Sequence, residues 1–276
     1  MQYHKSSRST REGVLVGVTP DEAGWSYLDF QALRLLAGTT SDGTTGEREV
    51  AFVVLGGICS VATSEGSWER IGGRADVFSG RPYTVYLPPH TSYTITAHGE
   101  VEIGCCAARA EQRHPARLIR PEDVDIEIRG GGNATRQISH IIKPEFPAQR
   151  LLVVEVYTPS GNWSSYPPHK HDEQHPPHEV VLEETYYYRV STPSGFALQR
   201  IYTAERDIDQ AFVCGDGDLL LIPRGYHPVC AAPGCQVYYL NTLAGDIHSM
   251  AASDDPDLAW IRETWTNAEK KIDLVR

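Results

Sequence analysis

The sequence predicts an all-β protein with two antiparallel barrels in one chain, and three observations predict it. Short runs of β-branched and aromatic residues recur along the 276 residues, bounded by Gly, Pro and polar clusters. Helical periodicity is nearly absent. A strand that runs into Pro and then His occurs once in each half: Arg81-Pro-Tyr-Thr-Val-Tyr-Leu-Pro-Pro-His90 and Gly217-Asp-Leu-Leu-Leu-Ile-Pro-Arg-Gly-Tyr-His227. Duplication of one β unit explains that echo simply.

Taken in order, the first half offers strands at Val50 to Leu55, Tyr83 to Leu87, Ser92 to Thr96 and Val101 to Gly104. Glu122-Asp-Val-Asp-Ile-Glu-Ile-Arg129 alternates at period two, which suits a strand with one exposed face. Arg129-Gly-Gly-Gly-Asn133 reads as a linker or turn. The expected division is residues 1–130 for the first barrel and 131–276 for the second. Strands of the second are expected at Leu151 to Tyr157, Thr185 to Val190, Phe196 to Tyr202, Asp218 to Ile222 and Gln236 to Leu240. One helix is expected, Asp257 to Lys271, with Pro256 ahead of it and Leu258, Ile261 and Trp265 near helical spacing.

Composition narrows the function. There are 25 basic and 36 acidic residues, a net charge of -11, which argues against nucleic acid or an anionic membrane as a partner. No apolar run approaches the roughly 18 residues of a membrane span. Residues Met1 to Gly13 are polar and lack the apolar core of a signal peptide, so a cytoplasmic protein is expected. Six cysteines form no C-x-x-C pair and lie mostly in apolar runs, as small buried hydrophobes in a reducing compartment do. Gly72-Gly-Arg and Gly130-Gly-Gly-Asn lack the strand-to-helix context of a nucleotide loop, and no G-x-S-x-G elbow is present.

Histidine carries the chemical signal. His169, His171, His175 and His178 fall within Tyr166-Pro-Pro-His-Lys-His-Asp-Glu-Gln-His-Pro-Pro-His178. In an extended segment His169 and His171 project to one face and can hold one side of a metal ion. Imidazole suits Zn, Mn, Fe, Ni or Cu, and a carboxylate completes a mixed site. His227 stands on the turn after an apolar strand, at the end of Gly217-x5-Pro-x-Gly-x-His. Glu173, Glu179, Glu183 and Glu184 all compete for the carboxylate place.

The order H-x-H, then Glu, then P-x-G-x-H resembles the cupin signature, with altered spacing. Seven residues separate Gly161 from His169, twelve separate His171 from Glu184 and one separates Gly225 from His227. More closely, Tyr166 to Asp172, Leu182 to Tyr188, Gln199 to Thr203 and Ile222 to Val229 resemble the 5-deoxy-glucuronate isomerases of bacterial myo-inositol catabolism. That two-cupin family is related to the pectin-pathway isomerase acting on 5-keto-4-deoxyuronate. The likeness extends to Leu87-Pro-Pro-His90 and Asp255 to Arg262.

The resemblance implies two cupin barrels, with the metal motif in the second only. It implies His169, His171, Glu184 and His227 as ligands, Glu184 being the residue that precedes a short aromatic strand. Zn2+ is favoured by analogy with the pectin isomerase, with Mn2+ or Fe2+ next. If Glu184 points inward, strand parity turns Tyr186 and Tyr188 inward too, where a phenol could orient a polyol or shuttle a proton. Lys170, Arg189, Arg200 and Arg224 are near the site in sequence. Arg200, assisted by Gln199, is the expected receptor for a uronate carboxylate. The first half has His90 at the place of His227 but no H-x-H, with His98 and His114 alone.

The expected activity is therefore aldose-ketose isomerisation of 5-deoxy-D-glucuronate to 5-keto-2-deoxy-D-gluconate. Rival readings are the pectin-pathway isomerase, a non-catalytic sugar-binding cupin and a metal-dependent dioxygenase. Homo-oligomer formation is compatible with barrels that present broad apolar faces.

Overall fold

The computed structural model describes residues 2–7, 12–267, 270 and 272–276, and every strand pairing among them is antiparallel. In the first half a six-stranded sheet runs Arg117–Ile119, Thr84–Leu87, Arg48–Gly56, Val101–Arg109, Leu28–Leu35, Gly13–Val18. A four-stranded sheet covers it, ordered Thr40–Thr44, Ser92–Ala97, Ile58–Thr63, Gly66–Gly72. The second half repeats the plan. Its seven-stranded sheet runs His4–Lys5, Leu219–Ile222, Glu183–Val190, Val237–Ala244, Leu151–Thr158, Arg136–Ile142, Asp125–Arg129. Its four-stranded cover is Trp163–Ser164, Val229–Ala231, Ala197–Tyr202, Asp209–Cys214. The chain is two β-barrels, each a pair of sheets closed around side chains.

Alternation along the strands builds three apolar layers. Phe52, Val54, Val85 and Ile103 of the first large sheet meet Cys59, Val61 and Ile95 of its cover. Tyr186, Tyr188, Leu220 and Tyr239 of the second large sheet meet Ala197, Ile201, Cys214 and Val229. The outer faces of the two large sheets pack on each other, Phe30, Ala51, Tyr86 and Cys106 against Leu151, Tyr157, Tyr187 and Leu240. These large sheets are thus buried on both faces, which is why their strands read as continuous apolar runs. Each fully buried large side chain contributes about 1.5–3 kcal/mol.

A charged pair crosses the inter-sheet layer. Nη2 of Arg74 donates to Glu155 at 2.7 Å, and the phenols of Tyr157 and Tyr238 donate to the same carboxylate at 2.9 Å each. The other two guanidinium nitrogens of Arg74 donate to the carbonyls of Val54 and Gly80, both at 2.9 Å. Each nitrogen of the guanidinium and each oxygen of the carboxylate thus has a partner, so the burial is tolerable.

The chain crosses between halves at both ends of the first barrel. His4–Lys5 adds an edge to the second large sheet through Leu219 and Leu220. Asp125–Arg129 closes that sheet's opposite edge on Arg136–Ile142, in a hairpin that pairs Arg129 with Arg136. Gly130 turns this hairpin at φ +97°, and a β-carbon there would sit 2.0 Å from the Ala134 carbonyl oxygen. Only glycine fits that position.

The helix expected at Asp257 to Lys271 is corrected to a 3-10 helix, Ala259–Asn267. Its approach already bonds three residues back, Leu258 to Asp255 and Ile261 to Leu258. Trp260 remains 59% exposed, so no apolar face is buried that would favour an α-helix. Lys271 lies outside the described residues. The six cysteines are all free. No helix among the described residues is long and apolar enough to cross a membrane.

Candidate metal centre

Three strands and one turn of the second barrel converge on its interior. His169–Lys170 is a short strand paired with Ser253–Asp254, and His171 follows it. Glu184 enters from the start of Glu183–Val190. His227 sits beyond the strand Leu219–Ile222, after a turn at Gly225. Gly225 has φ +92°, and a β-carbon there would approach the Tyr202 carbonyl oxygen to 2.5 Å. The glycine of the P-x-G-x-H motif is thus what lets the chain reverse against its neighbour and aim His227 inward.

Nε2 of His171 lies 2.8 Å from Oε2 of Glu184, and Nε2 of His227 lies 3.2 Å from the same oxygen. One ligand atom from each residue falls within 4.8 Å of the others, and all three side chains are buried. His169 stands beside them, half-buried, its ring centroid 4.9 Å from that of His227.

The hydrogen bonds around the cluster set its protonation. Nδ1 of His227 is 2.8 Å from the Gly225 carbonyl oxygen, which can only accept. Nδ1 therefore carries the proton, and burial pushes the imidazole pKa below its ordinary value. The Nε2 lone pair then faces a carboxylate oxygen with no hydrogen bond between them, an acceptor set against an acceptor. Nδ1 of His171 is also buried without a partner. Asn241 holds the other Glu184 oxygen, its Nδ2 donating at 2.6 Å. Burial alone would raise the Glu184 pKa, but His227, His171 and these hydrogen bonds bring it below the usual carboxylate range. Two imidazoles and an ionised carboxylate with an unanswered lone pair fit a divalent cation.

His169, His171 and Glu184 line a cavity of about 190 Å³, whereas His227 is fully buried and is not part of the lining. Tyr186 and Tyr239 line it as a stacked pair, 4.4 Å between centroids, with Ser165 Oγ 3.1 Å from the Tyr186 hydroxyl. Arg129, Arg136, His140 and Arg262 also line it. Burial, and next Glu184, push the Tyr186 phenol well above its ordinary pKa, so it keeps its proton at neutral pH.

A model of the KduI/IolB family matches residues 2–261. The chain belongs to the KduI/IolB family. It is 45% identical over 267 residues to the 5-deoxy-glucuronate isomerase of Geobacillus kaustophilus, covering 96% of this chain and 97% of that one. The crystal structure of an IolB-like protein from Salmonella typhimurium superposes with a TM-score of 0.92 at 37% identity, covering 95% of this chain and 99% of that one. An oxalate decarboxylase from Lactobacillus farciminis aligns with a TM-score of 0.67 at 13% identity, over 92% and 88% of the two chains. That distant likeness identifies the fold as cupin.

Within this KduI/IolB chain the rival carboxylates have other employment. Glu183 points to the opposite sheet face and accepts the backbone N–H groups of Ser26, Tyr27 and Leu28 at 2.6, 2.9 and 2.8 Å. Glu179 is held by Lys170 at 2.8 Å and by the backbone of Asp172 and Glu173. Glu173 is exposed and pairs with Lys170 and His175. His175 is exposed at the surface and does not line the cavity, nor does His178.

Arg200 is not brought to the site. Along Ala197–Tyr202 the inward residues are Ala197, Gln199 and Ile201, so parity turns Arg200 outward. There it forms a two-pronged pair with Asp209, both contacts at 2.7 Å, with its guanidinium 4.4 Å from the Tyr202 ring centre. Gln199 does face inward, yet its amide is consumed by the Tyr188 hydroxyl and the His227 carbonyl and lies behind the cavity wall. Tyr188 shares the barrel interior with Tyr186 but not the cavity lining. Sequence reasoning missed Arg136, Tyr239 and Asn241. A lone Asn in the apolar strand Val237–Ala244 was the available signal for one of them.

Proposed function

We propose that the chain is a divalent-metal-dependent aldose-ketose isomerase that converts 5-deoxy-D-glucuronate to 5-keto-2-deoxy-D-gluconate in inositol catabolism. One observation carries this reading: a chain 45% identical over 267 residues to a 5-deoxy-glucuronate isomerase buries His171, Glu184 and His227 together, two of them lining a cavity. His169 completes the ligand set. Zn2+ is the first choice for imidazole with carboxylate, Mn2+ and Fe2+ the next. When bound, the ion supplies Lewis-acid polarisation of the sugar carbonyl.

The chain's own residues do the rest. Asn241 fixes the Glu184 carboxylate, and Gly225 fixes the His227 tautomer. Moving the carbonyl from C1 to C2 requires a hydrogen to leave C2 and arrive at C1. Tyr186 is the phenol on the cavity wall, and it enters the reaction protonated, as a donor to the developing enediol oxygen. Tyr188 packs behind it. The first barrel serves as the scaffold, and the second, whose large sheet takes His4–Lys5 and Asp125–Arg129 as its edges, carries the site. Six free cysteines suit a cytoplasmic setting.

The reading is tested by offering 5-deoxy-glucuronate and 5-keto-4-deoxyuronate to one metal-replete preparation. Preferential turnover of the first supports it, and preference for the second assigns the sister activity. Run in D2O, an enediol route leaves deuterium at C1 of the product. Full retention of substrate hydrogen with normal turnover in Tyr186→Phe contradicts the role given to Tyr186.

A further inference from the structure

The cavity lined by His169, His171 and Glu184 also holds three arginines, and they differ in one respect. Arg129 is gripped by both oxygens of Glu127 at 2.7 Å. Arg262 is held by both oxygens of Asp254. His140, in the same lining, lies 3.0 Å from Glu127. Arg136 has no carboxylate partner among the described residues, although it is only 3% exposed. Its Nη1 donates to the carbonyls of Ala134 and Tyr166 at 3.1 and 3.2 Å, and its Nε and Nη2 have no acceptor among the described residues.

The fold maintains this state deliberately. Arg136, Ile138 and His140 alternate along one strand and all line the cavity, so parity aims Arg136 at it. The Trp265 ring lies 5.7 Å from the Arg136 guanidinium carbon and 5.2 Å from that of Arg262, which fixes the planar group from one side. Burial lowers the Arg136 pKa to about 10, with Arg129 and Arg262 adding repulsion, as befits a cation whose counter-ion is missing. A buried cation without a counter-ion is costly, and an anion that enters the cavity offsets that cost.

We infer that Arg136 is the receptor for the substrate's carboxylate, presenting Nε and Nη2 as a two-donor fork that selects an acid sugar over its neutral counterpart. The inference rests on the reading of this cavity as the sugar site. A planar guanidinium matches a carboxylate with two parallel hydrogen bonds, and a lysine does not. Arg129 and Arg262, each already paired with a carboxylate, leave Arg136 as the discriminating charge.

The test compares wild type, Arg136→Gln and Arg136→Lys on 5-deoxy-glucuronate and on neutral 5-deoxy-glucose, with metal content and melting temperature as fold controls. It adds calorimetric titration of each protein with D-glucuronate and D-glucose. Arg136→Gln is expected to lower kcat/KM on the uronate by about 100-fold, chiefly through KM, and to leave the neutral sugar within about 3-fold. Arg136→Lys should fall between the two. Wild type should bind glucuronate more tightly than glucose, and Arg136→Gln should erase that difference. Equal losses on both sugars, or unchanged uronate kinetics, overturn the inference while leaving the isomerase reading intact. Arg136-dependent glucuronate binding in a protein that isomerises neither sugar keeps the receptor and overturns the isomerase.

Discussion

Nε2 of His227 lies 3.2 Å from Oε2 of Glu184, and no hydrogen bond joins them. Because Nδ1 is committed to the Gly225 carbonyl, this is a lone pair facing a carboxylate oxygen inside a buried cluster. A cation held by His171, Glu184 and His227 would relieve the clash.

Removing a ligand should empty the site. His171→Ala and His227→Ala are each expected to lower bound metal, measured by elemental analysis, to a small fraction of wild type. His90→Ala should not, since His90 is exposed on a turn of the first barrel at φ +58°. Equal metal loss in the His90 and His171 variants would contradict placement of the site in the second barrel.

Asn241 should matter for metal without touching it. It orients Glu184 through a 2.6 Å hydrogen bond, and such supporting contacts are worth about 10–100-fold in metal affinity. Asn241→Ala should weaken binding by that order in a chelator competition. Unchanged affinity would show that Glu184 needs no such support.

Acid should release the metal. Burial opposes charge on His171, but Glu184 outweighs it and raises the His171 pKa above its ordinary value of 6.5. A proton on His171 competes with the ion, so occupancy at limiting metal should begin to fall above pH 6.5 and continue downward. Equilibrium dialysis across pH 8 to 5 reads this directly. Occupancy that stays constant down to pH 5.5 would contradict the assignment of His171 as a ligand.

Stability has its own test at the layer between barrels. Arg74→Met strands Glu155 without its cation among buried phenols, which should cost about 3–5 kcal/mol in urea unfolding. Adding Glu155→Leu should recover much of that loss. A cost below about 1 kcal/mol would mean that the pair is not desolvated as its burial indicates.

Much of the fold was legible because large-sheet strands buried on both faces announce themselves as apolar runs, Leu151–Thr158 and Leu219–Ile222 among them. Leu28–Leu35 escaped notice because Asp29, Gln31 and Arg34 interrupt its pattern, and Arg136–Ile142 because it opens on Arg and Gln. At the site, His169, His171 and His227 were legible from local spacing. Asn241 was not, because it meets Glu184 across 57 residues through strand pairing alone. Nearness in sequence misled at Arg200, where parity decides the outcome and turns the side chain to solvent. The choice of Glu184 over Glu183 rested on the family resemblance, because a single sequence leaves strand parity free by one residue.

The most direct test of the account is a strip-and-reload assay of aldehyde loss from 5-deoxy-glucuronate. The protein is freed of metal with a chelator, its fold checked by circular dichroism, and one equivalent of Zn2+, Mn2+ or Fe2+ is returned. The account predicts that stripping abolishes isomerisation, that one equivalent of at least one of these ions restores it, and that His227→Ala is not restored. Full turnover by the metal-free protein, or none by the reloaded one, would contradict it.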